Sequence, residues 1–300
     1  MARHFADRLL EAIRAKGSPV CVGVDPVYDR LPDEFRRGVA SPGDRIEAIA
    51  AYCRRLLQAV APIVPAVKPQ SAYFEVYREK GVRAYFDVVA YARQLGLIVI
   101  GDVKRGDIGS TAQAYAAGHL GGDDPPDAVT VNGYFGSDGL EPFVDLAVKQ
   151  GQGMFVLVRT SNPSGAEVQD FAAADGRKFY EHVARRVAAL GAGQGLVGMS
   201  GYSCVGAVVG ATYVEEARKL REIMPQQIFL VPGYGAQGAS ALDCAACFKS
   251  DGTGAIVNAS RSVIFAYLDK RYAGMDWVRA IEAAAQAFAQ DIKQAVGTKG

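Results

Sequence analysis

The sequence contains no apolar run that approaches the ~20 residues of a membrane-spanning helix. Its first ten residues, Met1 to Leu10, are charged and amphipathic and include no signal-type hydrophobic stretch. These two absences argue against a membrane protein and against a secreted one. We therefore expect a soluble, cytoplasmic protein.

The chain also lacks an excess of charge of either sign and is poor in histidine. Its 33 basic and 32 acidic residues leave a net charge of +1, so there is no broad positive field of the kind that steers proteins to nucleic acids. Any anionic ligand must be captured locally. The three histidines, His4, His119 and His182, are dispersed on predicted helices, which argues against a histidine-based metal site.

Cysteine is scarce, with five residues in a chain of 300. The number is odd, the neighbours are apolar, and a chain of this size does not need disulfide bonds to hold its core. We interpret the cysteines as reduced, buried thiols. Cys244 and Cys247 form a CxxC sequence, but there is no second pair, and the local alanine-rich pattern indicates a helix. Packing is therefore favoured over a metal or redox role.

Short apolar runs alternate with amphipathic stretches along the chain, as they do when parallel strands are joined by crossover helices. The runs are nearly continuous in apolar residues, which indicates strands covered on both faces. The predicted strands are Val20–Asp25, Ile63–Lys68, Leu97–Lys104, Ala128–Asn132, Met154–Arg159, Val205–Ala211, Ile228–Pro232 and Ala255–Asn258. The predicted helices are Asp44–Val60, Ala72–Leu95, Thr111–Leu120, Leu140–Lys149, Lys178–Leu190, Tyr213–Met224, Ala239–Phe248 and Trp277–Val296.

This alternation of eight strands and eight helices favours a closed (β/α)8 barrel over an open sheet. A further helix, Arg3–Lys16, precedes the first strand and is placed to cap the bottom of the barrel. The chain shows no linker, repeat or low-complexity segment, so we predict a single domain over residues 1–300. The irregular segment Thr160–Asp175 follows the fifth strand and is expected on the face where barrel enzymes keep their chemistry.

Charged residues stand at the ends of the first three predicted strands. Asp25 ends the first and Lys68 the second, while Asp102 and Lys104 end the third and Asp107 follows. Because residues two apart on a strand share a face, Asp102 and Lys104 project the same way, within reach of Lys68. A structural ion-pair network would use the same residue types. The convergence of charges from three successive strand ends favours a catalytic site.

A glycine-rich segment, Pro232 to Gly238, follows the seventh predicted strand and precedes a helix. Backbone N–H groups of such a loop can approach an anion closely, although a tight strand-to-helix turn uses the same residues. Arg261 follows the eighth strand, and its planar guanidinium suits a phosphate. Since the loops after strands seven and eight are the usual phosphate site of this fold, we predict phosphate binding here.

The polar motifs resemble those of the orotidine 5′-phosphate decarboxylase family. The signature is Asp102-x-Lys104-x-x-Asp107-Ile108, with Thr111 following. The other matching segments are Val22-Gly23-Val24-Asp25-Pro26, Val67-Lys68-Pro69-Gln70, Arg159-Thr160-Ser161-Asn162-Pro163, Val231-Pro232-Gly233 and Asn258-Ala259-Ser260-Arg261. The chain is most similar to the longer bacterial branch, typified by mycobacterial enzymes. The DxKxxD pattern alone is shared with sister decarboxylases and aldolases that act on sugar phosphates.

The resemblance implies a barrel enzyme that converts orotidine 5′-phosphate to UMP and CO2 without a metal or other cofactor. It implies that Lys104 donates a proton, that Asp102 lies beside the substrate carboxylate, and that Asp25 and Lys68 contact the ribose and orient the charged array. The implied substrate-binding residues are Asp25 at the ribose, Thr111 near the ribose hydroxyls, Ser161 at the pyrimidine, and Gly233, Gln237 and Arg261 around the phosphate.

A homodimer is the functional unit that the resemblance implies. Asp107, with Thr111, would reach from one subunit into the site of the other. The family's asparagine before the threonine is Ser110 in this sequence, which leaves that contact open. The sequence also leaves open whether Gln70, Tyr202 or Tyr234 contacts a ligand.

Two other functions compete with this one. A Mg2+-dependent decarboxylase or aldolase acting on a sugar phosphate would place Asp102, Lys104 and Asp107 around a metal-bound enediolate, although Lys68 and Lys104 already neutralise the acidic residues. A non-catalytic barrel that senses a nucleotide would be expected to have lost the Lys104 and Asp102 pair, which is intact here.

Overall fold

Eight parallel strands close into a barrel in the computed structural model, which describes residues 3–39, 41–235 and 238–297. The strands pair in chain order, and the last pairs with the first through Val20 opposite Val257. The strands are β1 (Val20–Val24), β2 (Ala66–Pro69), β3 (Ile98–Arg105), β4 (Ala128–Val131), β5 (Gly153–Arg159), β6 (Val205–Val209), β7 (Phe229–Val231) and β8 (Ala255–Ala259). The predicted (β/α)8 barrel is confirmed.

Helices connect the strands and cover the outside of the barrel. They are α1 (Phe5–Lys16), α2 (Asp33–Arg36), α3 (Pro42–Val60), α4 (Ala72–Glu75), α5 (Arg78–Gln94), α6 (Gly109–Leu120), α7 (Ser137–Gln150), α8 (Ala166–Gln169), α9 (Phe179–Gly191), α10 (Val214–Ile223), α11 (Ala241–Ala245), α12 (Arg261–Ile264) and α13 (Trp277–Gly297). Single 3₁₀ turns lie at Tyr28–Arg30, Gly133–Phe135, Pro163–Gly165, Ala266–Leu268 and Lys270–Tyr272. Within the described ranges, no helix has the length and apolar character needed to cross a membrane.

The predicted helix Ala72–Leu95 is two helices, α4 and α5, because the chain folds back between them. Arg78 adopts a left-handed φ of 56° at the start of α5. The fold-back brings Gly81 so close to α4 that a Cβ at this position would lie 1.8 Å from the Phe74 carbonyl oxygen. The predicted helix Ala239–Phe248 is also shorter, since Ser240 and Asp243 form a capping box at the start of α11.

Helix α1 covers the bottom of the barrel, as the sequence predicts. The ring of Phe5 is 1% exposed and meets the ring of Phe155 edge-on, with centroids 5.8 Å apart. Arg8 forms an ion pair with Asp127 and donates to the carbonyl of Gly151 at 3.0 Å. The barrel end is therefore sealed by one aromatic ring and one ion pair.

Replacing Gly153 by alanine is expected to lower the free energy of unfolding by about 1–3 kcal/mol, because the new methyl group would overpack a buried contact. Its Cβ would lie 2.2 Å from Cδ1 of Phe5, so the strand or the ring must move. Denaturant unfolding measures the change. Gly118→Ala is the control, since a Cβ there meets nothing within 4 Å and alanine favours the helix. Unchanged stability of the Gly153 variant would contradict this packing of α1.

Candidate active site

A cavity of about 430 Å³ opens at the carboxyl ends of the strands. All eight strands contribute to it, through residues near their carboxyl ends or through the residues that follow. The lining residues are Asp25, Lys68, Gln70, Asp102, Lys104, Thr130, Leu157, Thr160, Ser161, Asn162, Val208, Leu230, Pro232, Gly233, Tyr234, Asn258, Ser260 and Arg261. This is the end of the barrel at which enzymes of this fold place their chemistry.

One wall of the cavity is a carboxylate held between two lysines. Nζ of Lys68 donates to Oδ2 of Asp102 at 2.5 Å, and Nζ of Lys104 donates to Oδ1 at 2.5 Å. The side chains of Lys68 and Asp102 are each 7% exposed, whereas that of Lys104 is 47% exposed. The three charges that the sequence places on neighbouring strand ends thus meet, and only Lys104 keeps wide access to the open cavity.

Opposite charges fix the protonation states of this wall. Burial alone would raise the pKa of Asp102, but the ammonium groups of Lys68 and Lys104 hold it well below its ordinary value. Burial alone would lower the pKa of Lys68, but the carboxylates of Asp102 and Asp25 raise it above its ordinary value. At neutral pH the cavity therefore presents a buried carboxylate and a buried ammonium, both charged.

Thr130, on β4, organises the wall and was not singled out from the sequence. Its hydroxyl donates to Oδ1 of Asp102 at 2.9 Å and accepts the backbone N–H groups of Val103 at 3.1 Å and Lys104 at 3.0 Å. Lys104 has a left-handed φ of 46°, where the register between β3 and β4 shifts. Such a conformation is costly for a residue with a side chain, and the hydroxyl supports it.

Thr130→Val is expected to lower kcat by about 10²-fold with little change in KM, since displacement of a catalytic group by about 1 Å has an effect of that size. Valine has the shape of threonine but cannot accept the two N–H groups or donate to Asp102. Thr130→Ser keeps the hydroxyl and is expected to stay near the wild-type rate. Steady-state kinetics of the two variants measures the difference, and equal rates for valine and serine would refute the role of the hydroxyl.

Three oxygen atoms of cavity-lining residues have no hydrogen-bond partner within the described part of the chain. They are Oδ1 of Asp25, Oδ1 of Asn258 and Oγ of Ser260. Nearly all buried polar atoms in folded proteins are hydrogen-bonded. All three atoms are buried, so a hydroxyl or N–H group of a ligand can pair with them only when the side chains that carry them turn toward the cavity.

The residues expected at the pyrimidine and the phosphate line the same cavity. Ser161 lies on the segment after β5, Gly233 follows β7 and Arg261 begins α12. No carboxylate of the described residues forms an ion pair with Arg261, so its guanidinium is available to an anion. Gln237 lies outside the described residues.

Of the three residues whose ligand contact the sequence leaves open, two line the cavity. Gln70 donates to Oδ2 of Asp102 at 3.0 Å and so extends the charged wall. Tyr234 also lines the cavity, but its hydroxyl donates to Asp291 on α13 at 2.6 Å. Tyr202 lies elsewhere, with its hydroxyl 2.7 Å from Oγ1 of Thr253.

Asp107 and Thr111 are not among the residues that line this cavity. Asp107 accepts the N–H of Ile108 at 2.8 Å, and Thr111 is exposed on α6. Apolar side chains are exposed near them, with Ile108 at 56%, Tyr134 at 73% and Phe135 at 46%. The site of a single chain is therefore built without the two residues that the family resemblance assigns to the partner subunit.

A comparison of the sequence with protein families and curated proteins gives one consistent result. The family model described as orotidine 5′-phosphate decarboxylase / HUMPS family matches residues 18–275. The chain is 43% identical over 303 residues to the orotidine 5′-phosphate decarboxylase of Rhodopirellula baltica, covering 96% of this chain and 99% of that protein. It is 39% identical over 263 residues to the enzyme of the same name from Clostridium perfringens, covering 88% and 89%.

Solved structures agree with this result. A putative orotidine 5′-phosphate decarboxylase from Streptomyces avermitilis has a TM-score of 0.82 and 37% identity, and the match covers 99% of this chain and 98% of that one. A putative orotidine-monophosphate decarboxylase from Toxoplasma gondii has a TM-score of 0.83 and 30% identity, covering 99% and 97%. The likeness extends over nearly the full length of the chain.

Proposed function

This chain belongs to the orotidine 5′-phosphate decarboxylase / HUMPS family, and on that basis we propose that it converts orotidine 5′-phosphate to UMP and CO2, a step of pyrimidine biosynthesis. It is a carboxy-lyase, as its relatives of that name are. The single observation that carries the proposal is the Lys68–Asp102–Lys104 array on the wall of the cavity. The Ser161 segment and Arg261 line other parts of the same cavity.

In the proposed reaction the bond between C6 of the pyrimidine and its carboxylate breaks directly. CO2 departs, and the electron pair stays on C6. Lys104 transfers a proton from its ammonium group to C6, which completes UMP, and the neutral amine then regains a proton from water. An ammonium beside C6 both stabilises the developing negative charge and supplies the proton, so the scheme needs no metal or other cofactor.

Asp102 would lie beside the departing carboxylate and raise the energy of the bound substrate. Two like charges ~4 Å apart interact by only about 4 kcal/mol at an effective dielectric constant of ~20. Enzymatic accelerations require roughly 8–23 kcal/mol. The larger part must come from the preorganised ammonium groups and from phosphate binding energy gained at Gly233, Gln237 and Arg261.

Other residues of the cavity would orient the substrate. Asp25 and Ser161 both line the cavity; Asp25 would accept a hydrogen bond from the ribose, and Ser161 would hydrogen-bond the pyrimidine. Lys68 would keep Asp102 ionised and fixed. These roles match the residue types required and their places along the cavity.

A Mg2+-dependent reaction on a sugar phosphate is the competing function, because the DxKxxD pattern alone is shared with enzymes of that kind. The contacts of Asp102 argue against it, because both of its oxygens already accept hydrogen bonds from ammonium groups.

The test of the proposed function is to incubate purified protein with orotidine 5′-phosphate and excess EDTA and to identify the products by chromatography. UMP formation supports the proposal. If the protein turned over only sugar phosphates, and only with Mg2+, the Mg2+-dependent function would replace the proposed one. Tight UMP binding without turnover would indicate a nucleotide sensor.

We further propose a homodimer in which Asp107 and Thr111 complete the site of the partner subunit. Asp107 and Thr111 do not line their own cavity. Phe135 lies near Asp107, because both adjoin Gly139. A Cβ added at Gly139 would lie 2.7 Å from the Asp107 carbonyl oxygen and 3.1 Å from Cβ of Phe135. An exposed apolar surface around a carboxylate is suited to contact with a second copy of the chain.

Mixing two inactive variants is expected to restore activity if Asp107 acts across the dimer. Lys104→Ala and Asp107→Ala each remove one part of the site. When the two are unfolded together and refolded in equal amounts, half of the dimers are mixed, and one of their two sites is intact. We expect about a quarter of the wild-type activity. If Asp107 acts within its own subunit, every site of the mixed dimer is damaged and the mixture stays inactive.

We propose a cytoplasmic location because the cysteines are not paired in disulfide bonds. All five are buried free thiols, and reduced cysteines are usual in the cytoplasm. Burial raises the pKa of the Cys204 thiol to about 11, which makes it unreactive at neutral pH.

A further inference from the structure

Arg159, the last residue of β5, is a fully buried arginine that does not line the cavity. Its side chain is 1% exposed. Nε lies 2.6 Å from Oε2 of Glu216 on α10, and Nη1 lies 2.9 Å from Oδ1 of Asp170. The guanidinium also lies over the ring of Tyr213, 4.1 Å from its centroid. A buried arginine with this many partners is held in one orientation.

The partners of Arg159 connect it to the wall of the cavity. Nη1 donates to Oε1 of Gln169 at 3.3 Å. The same oxygen accepts the backbone N–H of Thr160 at 3.0 Å, and Nε2 of Gln169 donates to Oγ1 of Thr160 at 2.6 Å. Thr160 in turn donates to Oδ1 of Asn162 at 2.7 Å. Thr160 and Asn162 both line the cavity, on either side of Ser161.

Backbone packing against Gly210, which follows β6, also holds segment 160–162. The N–H of Gly210 donates to the carbonyl of Arg159 at 2.8 Å. A Cβ on Gly210 would lie 3.1 Å from Cα of Ser161. Segment 160–162 is therefore clamped between the end of β6 and the Gln169 side chain, which the guanidinium of Arg159 orients.

We propose that Arg159 is a positioning residue that fixes segment 160–162 and thereby sets the selectivity of the cavity for a pyrimidine base. Arg159 touches no substrate and acts through Gln169. An ion pair buried only for stability is weakly justified, because apolar residues of similar size often serve equally well. Here one of the contacts, the hydrogen bond to Gln169, leads from the guanidinium to the cavity-lining Thr160, while Glu216 and Asp170 hold the guanidinium in place. The inference rests on the proposed function, since it takes Ser161 as the contact of the base.

The test compares two ligands that share a phosphate and differ in the base. UMP carries the pyrimidine, and ribose 5-phosphate lacks it. Arg159→Lys keeps a positive charge but loses the planar fork that reaches Glu216, Asp170 and Gln169 together. We expect the dissociation constant of UMP to rise about ten-fold or more, as displacement of a contact by about 1 Å implies. Binding of ribose 5-phosphate is expected to stay within about two-fold of wild type, because the phosphate residues are untouched.

Two further variants make the result decisive. Gln169→Met removes both hydrogen bonds to Thr160 but leaves the pairs of Arg159 with Glu216 and Asp170, so it is expected to reproduce the loss and to carry the test if Arg159→Lys does not fold. Lys178→Met is the control, since Nζ of Lys178 lies 3.3 Å from Asp170 and 3.9 Å from Glu216, whereas the hydrogen bonds of Gln169 go to Arg159 and Thr160. The Lys178→Met variant is expected to keep the wild-type ratio between the dissociation constants of UMP and ribose 5-phosphate.

Equal weakening of both ligands, or lower thermal stability with unchanged binding of UMP, would overturn the positioning role. A different failure would appear in the wild type itself. If the unmodified protein bound UMP no better than ribose 5-phosphate, the proposed substrate would be wrong and the selectivity assigned to Arg159 would be wrong with it. The two failures are therefore distinguishable.

Discussion

Lys104→Ala is expected to lower kcat/KM for orotidine 5′-phosphate by at least about 10⁴-fold, because the substitution removes both a proton donor and a positive charge at the reacting carbon. The ammonium group of Lys104 is the one member of the charged wall with wide access to the cavity, its side chain being 47% exposed. Alanine leaves Asp102 beside the substrate with less compensating charge, so binding of the substrate carboxylate is disfavoured as well.

Lys219→Ala is the matched control for this substitution. Lys219 is similarly exposed, at 53%, and its Nζ lies 2.8 Å from Oε1 of Glu181, whose side chain is 6% exposed. The control therefore removes a lysine from a buried carboxylate outside the cavity, and kcat/KM is expected to be unchanged. An active Lys104→Ala enzyme would show that another group protonates the product.

Asp102→Asn is expected to have the largest effect on stability, with a loss of about 3–5 kcal/mol, because it leaves the buried ammonium of Lys68 without its partner. Activity is expected to fall by about 10²-fold or more, since the neutral amide has one oxygen for two ammonium groups and Lys104 loses the negative charge that orients it. Denaturant unfolding and steady-state kinetics measure the two effects.

The stability loss in Asp102→Asn is expected to depend on pH in a defined direction. In the wild type the pKa of Lys68 is raised, so its contribution to stability is complete below about pH 10 and is lost above it. In the variant, Asp25 still raises this pKa, but we expect the larger effect of burial to outweigh it and to lower the pKa below the unfolded value. The folded state then binds fewer protons, and stability should rise with pH up to about pH 10. A pH-independent loss would show that Lys68 finds another partner.

The double variant Asp102→Asn/Lys68→Met separates stability from catalysis. It removes both buried charges, so neither is left without a partner, and this is far less costly than the removal of one partner alone. We expect most of the stability to return while the activity stays as low as in Asp102→Asn alone. Recovery of activity together with stability would mean that the ion pair is structural, the alternative that the sequence pattern left open.

The sequence predicts the barrel well because the alternation of apolar runs with amphipathic stretches reflects the alternation of strands and helices. Apolar runs covered on both faces fix the strands, and the charges at their ends identify the catalytic face. The meeting of Lys68, Asp102 and Lys104 follows from the pleat and from the adjacency of β2 and β3. Its prediction required no knowledge of side-chain contacts.

The residues that the sequence does not reveal act through three-dimensional contacts. The role of Thr130 depends on the register shift between β3 and β4, and a single threonine in the run Ala128–Val131 carries little signal of it beyond its polarity. Arg159 stands within a recognised motif, but its partners, Gln169 and Glu216, are 10 and 57 residues away. The break between α4 and α5 involves the left-handed φ of Arg78 and the close approach of Gly81 to the Phe74 carbonyl oxygen, which helical periodicity alone does not encode.

Exchange of the C6 hydrogen of UMP in D2O tests most directly whether Lys104 moves the proton at C6. By microscopic reversibility, the group that donates this proton in the forward reaction removes it in reverse. Proton NMR of UMP incubated with enzyme follows the C6 signal, in wild type and in Lys104→Ala, each at saturating UMP. The account predicts loss of the signal with the wild type and no loss above the enzyme-free rate with Lys104→Ala. Equal exchange by the two proteins would contradict it.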